Sequence, residues 1–460
     1  MSDDSTRGRL TRGVKAALLD TMRRAPVGEK PAAAPSSRAA RRDMSFASLP
    51  AYQQLSSQRG MADALGLNFP FYRTHDARAG ARSVINGSEV VNFASYDYLG
   101  LNGHPEITRA VAAATEQWGT SVSASRITAG ERGFHHDLER AIAEIYEAEA
   151  SLVFVSGHAT AVSTIAALLG PKDLILHDAL IHNCVVVGAQ LCGATRRSFP
   201  HNDMDALADI LASTRDRFER VLIVSEGLYS MDGDGPDLAR LADIKEQFDC
   251  WLMVDDAHAL GILGKTGKGI FEMADVDPKR IDIWLGTLSK TLVSCGGYVA
   301  GNRVLVEYLK LTAPGMVYSV GIPAPAAVAS LTAIQLMQRE PERVARLQAN
   351  GQRFLRKARE AKLDVGTSWG YAVVPIILGD SLRTIMLADR LLKRGYNAFP
   401  IVPPGVPEQS ARLRFFISSE HTAEDIDGAV AATREELTKL EQAGTSLGTM
   451  AKLMMAKIKS

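Results

Sequence analysis

From about residue 105 onward, helical patterns alternate with short aliphatic and β-branched runs at 151–156, 173–177, 220–225, 250–255, 281–286 and 297–301. Strands that arrive singly between helices cannot pair as hairpins, so the alternation predicts βαβ units and a mostly parallel, helix-covered sheet. Sheets of this kind gather ligands outside the carboxyl ends of their strands. Ser156, Gly157, His158, Glu226, Asp255, His258 and Lys290 all lie just past these runs. With 460 residues there is room for a second domain. An Arg-rich helical pattern over 331–363 leads into strand-like runs at 371–378, 398–402 and 413–418, which read as a smaller α+β domain. The predicted organisation is a basic tail and linker at 1–50, an N-terminal segment at 51–104 that wraps over a large domain at 105–340, a small domain at 341–443, and an apolar, basic tail at 444–460.

Lys plus Arg and Asp plus Glu balance at 52 each, so no overall field favours nucleic acid. No apolar run reaches the roughly 18 residues that span a bilayer. The four cysteines show no paired spacing, which predicts reduced thiols, no metal site and a cytoplasmic setting. Charge is uneven locally: residues 1–43 hold ten Lys or Arg against five acids. There Leu10, Val14, Leu18 and Met22 recur at helical spacing before a Pro-Ala-Ser linker at 31–37. A solvated tail is the plainest reading; docking to an acidic carrier protein or to anionic lipid are the others. The apolar, basic stretch 450–459 is read as a tail that folds back or touches a membrane.

Two segments carry the chemistry. Trp251-Leu252-Met253-Val254 delivers Asp255 at a buried strand tip, with His258 three residues on, and Thr287-Leu288-Ser289-Lys290 supplies an amine 35 residues beyond Asp255. The strand tip alone would also suit a metal or hydrolase site. With the lysine it suits pyridoxal 5'-phosphate (PLP), which needs a Schiff-base lysine, an anion opposite its ring nitrogen and a phosphate cradle. Asp255 would be costly to bury without a cation such as a pyridinium. His258 can reach the phenolic oxygen, and Lys290, desolvated near cations, can act as a base.

Tyr98-Leu99-Gly100-Leu101, Ser156-Gly157-His158-Ala159, the run from Glu226 to Asp234, Val254-Asp255-Asp256-Ala257-His258, Thr287-Leu288-Ser289-Lys290 and Ala411-Arg412-Leu413-Arg414 together resemble the α-oxoamine synthases, in consistent order over about residues 60–435. The resemblance implies a fold-type I PLP transferase, with a mostly parallel seven-stranded sheet in the large domain and a smaller α+β C-terminal domain. It also implies roles. His182 would stack on the pyridine ring, Gly157 and His158 would hold the phosphate at a helix N-terminus, and Thr287 would be a further phosphate ligand. Ser230 would lie near the PLP oxygen, Asp255 at the ring nitrogen, His258 at O3′, and Lys290 would form the Schiff base. Arg414 would fix the amino-acid carboxylate, for which a guanidinium fork is suited. Tyr96 would lie beside the substrate, and Ser319 would reach across a homodimer.

Two departures bear on substrate. Oxononanoate synthases carry Ser-Asn-Asp-Tyr-Leu-Gly where this chain has Ser95-Tyr96-Asp97-Tyr98-Leu99-Gly100, closer to serine palmitoyltransferases. The family's hydroxyl pair near the partner's phosphate is reduced here to Ser319 in Tyr318-Ser319-Val320-Gly321, as in polyketide-associated members. The implied activity is a decarboxylative condensation of serine, glycine or alanine with a long-chain acyl-CoA or acyl-carrier protein, giving an α-amino ketone. The alternatives are 8-amino-7-oxononanoate synthase or 2-amino-3-ketobutyrate ligase activity, another PLP class such as an aminotransferase or threonine aldolase, and a non-catalytic scaffold subunit, against which Lys290 argues.

Overall fold

The C-terminal ends of six parallel strands lie along one edge of a seven-stranded sheet, and that edge organises the molecule. The computed structural model describes residues 44–64 and 67–444. The basic tail, its linker and the 450–459 stretch lie outside the described residues. Residues up to Leu65 and those from Gly66 form two separate units. In the first, the described structure is a short 3₁₀ turn and helix α1 (Pro50–Ala64).

The second unit begins with a hairpin, β1 (Arg82–Ile85) and β2 (Ser88–Asn92), followed by α2 (Pro105–Trp118) and α3 (Gly133–Ile145). Strands and helices then alternate: β3 (Ala150–Phe154), α4 (Gly157–Leu168), β4 (Leu174–Asp178), α5 (Asn183–Cys192), β5 (Thr195–Phe199), α6 (Met204–Thr214), β6 (Val221–Glu226) and α7 (Leu238–Gln247). Three strands follow without a long helix between them, β7 (Trp251–Asp255), β8 (Ile283–Thr287) and β9 (Gly297–Gly301), and then α8 (Arg303–Thr312). The sheet order is β3-β9-β8-β7-β6-β4-β5, with β9 alone antiparallel to its neighbours. Along β6, Val221 and Ile223 enter one apolar core while Leu222 and Val224 enter the other. Burial on both faces explains why these strands read as unbroken apolar runs.

The C-terminal part comprises α9 (Ala324–Arg339), α10 (Glu342–Glu360), β10 (Val373–Ile377), α11 (Ser381–Lys393), β11 (Tyr396–Asn397), β12 (Phe399–Ile401), β13 (Arg412–Phe416) and α12 (Ala423–Gln442). Pro341 divides the long helical pattern into α9 and α10, since its nitrogen has no hydrogen to donate to a helix. The order β10-β13-β12 is antiparallel throughout. β2 pairs in parallel with β11, and the carbonyls of Phe93 and Tyr98 accept the N–H groups of Phe416 and Ser419, each at 2.8 Å. The segment around Tyr96 is thereby stitched to β13.

Among the described residues no helix is long and apolar enough to cross a membrane, and no cluster of His, Cys, Asp and Glu is placed to hold a metal ion. All four cysteines are free thiols.

Candidate active site

β6 ends on Glu226 and β7 on Asp255, which are register partners, and the adjacent β8 ends on Thr287. Each strand is anchored in both cores, so the polar residue at its tip has little freedom to move. The turns after β7 and β8 carry His258 and Lys290, and the first turn of α4 and the N-cap of α5 bring Gly157 and His182. These segments line one cavity.

Asp255 is buried and accepts the Ala257 N–H at 3.0 Å. Burial raises its pKa, and the Lys290 ammonium opposes that rise. Lys290 is itself pushed down to about 8 by desolvation, with Asp255 and Glu226 pulling the other way and Arg414 adding to the fall. An amine in this state loses its proton close to neutral pH and is available as nucleophile or base. Glu226 is raised to about 8 by burial and then by Asp255. Its two oxygens accept the backbone N–H groups of His182 at 2.8 Å and Ser230 at 3.3 Å, so it ties two loops to the strand edge.

His258 Nδ1 lies 2.8 Å from the Tyr98 hydroxyl, and its ring stacks on Phe416 at 5.9 Å. Burial, and then the Lys290 charge, holds it well below the usual histidine range. His182 caps α5, its Nδ1 accepting the Cys184 N–H at 3.3 Å. Arg414, on β13, is buried with its guanidinium 4.2 Å from the Phe416 ring centre. One terminal nitrogen donates to the Ser230 carbonyl at 3.1 Å, while the buried Nε–H has no partner. An unspent donor on a buried cation suits a carboxylate. Tyr96 lies close to this guanidinium, and its ring centre is 5.8 Å from Lys290 Nζ.

These groups fit PLP. Asp255 is a buried anion of the kind a protonated ring nitrogen requires, and Lys290 is a buried amine of the kind that attaches the cofactor. The start of α4 offers backbone N–H groups to a phosphate, with Thr287 alongside. Only glycine keeps that cradle open, because a Cβ on Gly157 would sit 2.8 Å from Thr287 Oγ1. Gly157→Ala is therefore expected to weaken PLP binding roughly tenfold, measured as the dissociation constant for reconstitution of stripped protein.

Of the residues singled out by sequence, Gly157, His158, His182, Asp255, His258, Thr287 and Lys290 line one cavity. Tyr96 and Arg414 adjoin it through Lys290 and Phe416, and Ser230 holds the backbone between Glu226 and Arg414. Ser319 is not among the residues of that cavity; it lines a separate open groove with Ser123, Ala124, Ser125, Ile127 and Thr128. Sequence reasoning placed Glu226 at a strand tip but gave it no role. The signal was the same as for Asp255, an apolar run ending in a carboxylate. It gave no role in the site to Tyr98, Cys184 or His201.

His201 supports the site from behind. It bridges Asp178 at the end of β4, 2.9 Å away, and Asp234 in the 226–234 loop, 3.1 Å away. Asp178 also accepts the Leu180 and Asn202 N–H groups at 2.8 Å, shaping the turn that presents His182.

Residues 88–432 match the model of the aminotransferase class I and II family. The 8-amino-7-oxononanoate synthase of Symbiobacterium thermophilum is 39% identical over 351 residues, 76% of this chain and 89% of that protein. That of Thermoanaerobacter pseudethanolicus is 35% identical, over 78% of this chain and 90% of the relative. Among solved structures, Sphingomonas wittichii serine palmitoyltransferase superposes with a TM-score of 0.80 at 26% identity, covering 84% of this chain and 97% of that one. A serine palmitoyltransferase described as carrying a PLP internal aldimine also scores 0.80, at 25% identity over 84% of this chain and 97% of its own. The fold and the lysine-centred cavity thus define a fold-type I PLP enzyme. The chain belongs to the aminotransferase class I and II family, within its α-oxoamine synthase branch, and is an acyltransferase of that kind.

Proposed function

We propose that the protein joins a small amino acid to an acyl thioester, releasing CO2 and free thiol and leaving an α-amino ketone. The observation that carries this reading is Arg414: a buried cation with an unpaired N–H, next to the lysine of a PLP cavity, in a chain whose named relatives are 8-amino-7-oxononanoate synthases. Those names favour an oxononanoate-synthase-like reaction over the serine palmitoyltransferase-like one that the Tyr96 motif suggests. The second reading keeps the support of Tyr96, which fills the site near Lys290, and of the structural likeness to serine palmitoyltransferase.

When bound, PLP supplies the electron sink that lets an amino acid give up its Cα proton. The residues divide the remaining work. Arg414 takes the substrate carboxylate. Lys290 would remove and return the proton at Cα, Asp255 would keep the ring nitrogen protonated, and His182 and His258 would help to hold the ring. Gly157, His158 and Thr287 would hold the phosphate. Carbon–carbon bond formation at the acyl carbon expels the thiol, and loss of the carboxylate as CO2 completes the balance. A cytoplasmic homodimer, with Ser319 reaching the partner's phosphate, accords with the groove in which Ser319 lies and with family habit.

Glycine, serine and alanine titrated against the holoenzyme's visible spectrum, followed by mass analysis of products from pimeloyl and long-chain thioesters on CoA and on carrier protein, test the proposal. An α-amino ketone with one CO2 per turnover is the expected result; an oxo acid without carbon–carbon bond formation would sink it. Arg414→Ala should raise the amino-acid KM roughly 10- to 100-fold with a smaller change in kcat.

A further inference from the structure

The geometry points to two of the three cavity histidines being held as neutral imidazoles protonated on Nε2, His258 by the Tyr98 hydroxyl and His182 by Cys184, which makes Tyr98 and Cys184 positioning residues of the site.

For His258 the case rests on where a single phenolic proton can go. Tyr98 and His258 are both buried, and the hydroxyl is 2.8 Å from Nδ1. Among the described residues that nitrogen is the hydroxyl's one hydrogen-bond partner. If Nδ1 were the donor, the buried phenol O–H would have no protein acceptor among the described residues, at a cost of about 1–3 kcal/mol. The phenol therefore donates, Nδ1 accepts, and the ring's own proton resides on Nε2. Phe416, inclined only 21° to the imidazole, fixes the ring plane. Burial first, then the charges of Lys290 and Arg414 that face it, with His182 acting in the same sense were it charged, disfavour a second proton.

For His182 two donors converge on one atom. Nδ1 lies 3.3 Å from the Cys184 backbone nitrogen and 2.9 Å from its sulfur. A backbone N–H can only donate, so Nδ1 must present its lone pair. Burial, reinforced by Asp255 and Glu226, keeps the Cys184 thiol protonated, so the sulfur has a hydrogen to offer as well. Desolvation holds the imidazole below its ordinary range, with Lys290, His158 and Arg414 acting in the same sense and Asp255 against it.

Neither Nε2 has a protein acceptor among the described residues. The cavity is thus offered two uncharged N–H donors at fixed positions. Neutral donors suit oxygen atoms that carry charge part of the time, because they hold them without locking them as an ion pair. That last step rests on the reaction proposed above; the tautomers do not.

The test is long-range proton–nitrogen NMR on holoenzyme labelled with ¹⁵N-histidine, and on the same protein stripped of PLP, at about pH 7, where an unperturbed histidine would be partly charged. Both rings should show an unprotonated Nδ1 and a protonated Nε2. An Nδ1-protonated ring or an imidazolium at either residue overturns the proposal for that residue. Tyr98→Phe should move the His258 Nδ1 resonance and leave His182 unchanged. Cys184→Ala should move that of His182, and Cys184→Ser should restore it. Resonances indifferent to these changes would also refute the assignment. Failure of the proposed reaction would appear instead in the product analysis, with the NMR pattern intact.

Discussion

Lys290→Ala is expected to abolish the visible absorbance of covalently held pyridoxal and to lower kcat by about 10⁴-fold or more. Both functions of the amine depend on the same atom, so no neighbour can substitute. Tyr96, Arg414 and His182 surround Lys290, and none offers a primary amine. PLP should still bind, because Asp255 and the start of α4 remain, and gel filtration with phosphate analysis would detect it. In the wild type, with Lys290 depressed to about 8, the rate of Cα proton exchange should climb as pH rises through that value and then level. Persistence of the absorbance in the variant would assign attachment to another lysine.

His201→Gln is expected to lose about 3 kcal/mol of stability, the scale associated with removing one member of a buried ion pair. The imidazole is one-fifth exposed and lies between two carboxylates, Asp178 and Asp234, with the Tyr229 ring perpendicular to it at 4.6 Å. Burial opposes its charge, but the two aspartates outweigh it and raise its pKa to about 10. An unfolded histidine titrates near 6.5. A pKa raised by folding gives stability that is complete below the unfolded value and disappears as pH passes the folded one. The gap between wild type and variant should therefore be widest below about pH 6.5 and close above about pH 10, read from urea midpoints. A gap independent of pH would mean that His201 acts by packing alone. Thr367 adds a hydrogen bond of 2.5 Å to Asp234, so the variant should also loosen the 226–234 loop.

The large sheet was legible because its strands are buried on both faces, and an apolar run such as 221–224 has few other uses. β5 was not: Thr195-Arg196-Arg197-Ser198 lies exposed at the sheet edge and shows neither an apolar run nor alternation. β1, β2 and β11 are short, and β2 and β11 pair with each other across some 300 residues of sequence, a contact local pattern cannot report. In the site, Asp255, His258 and Lys290 announced themselves by position at strand tips. Tyr98 and Cys184 look like core residues in sequence, and only distance to an imidazole reveals what they do. His201 follows a proline in a polar turn, and its meaning depends on Asp234 approaching from another loop. Substrate was the least legible, since the Tyr96 motif and the named relatives favour different acyl groups.

The stitching of β2 to β11, and of the Tyr96 segment to β13, bears on how the molecule is made. Domains tend to fold as they leave the ribosome, N-terminal parts first. Here the whole seven-stranded sheet is complete by Gly301, yet Tyr98 cannot dock on Ser419, nor Tyr96 on Arg414, until more than a hundred further residues have been synthesised. A nascent chain can thus form its lysine-bearing sheet long before Arg414 is in place beside it. The site is complete only with the last strand, and a prematurely terminated product would carry the Lys290 amine without the buried Arg414 guanidinium.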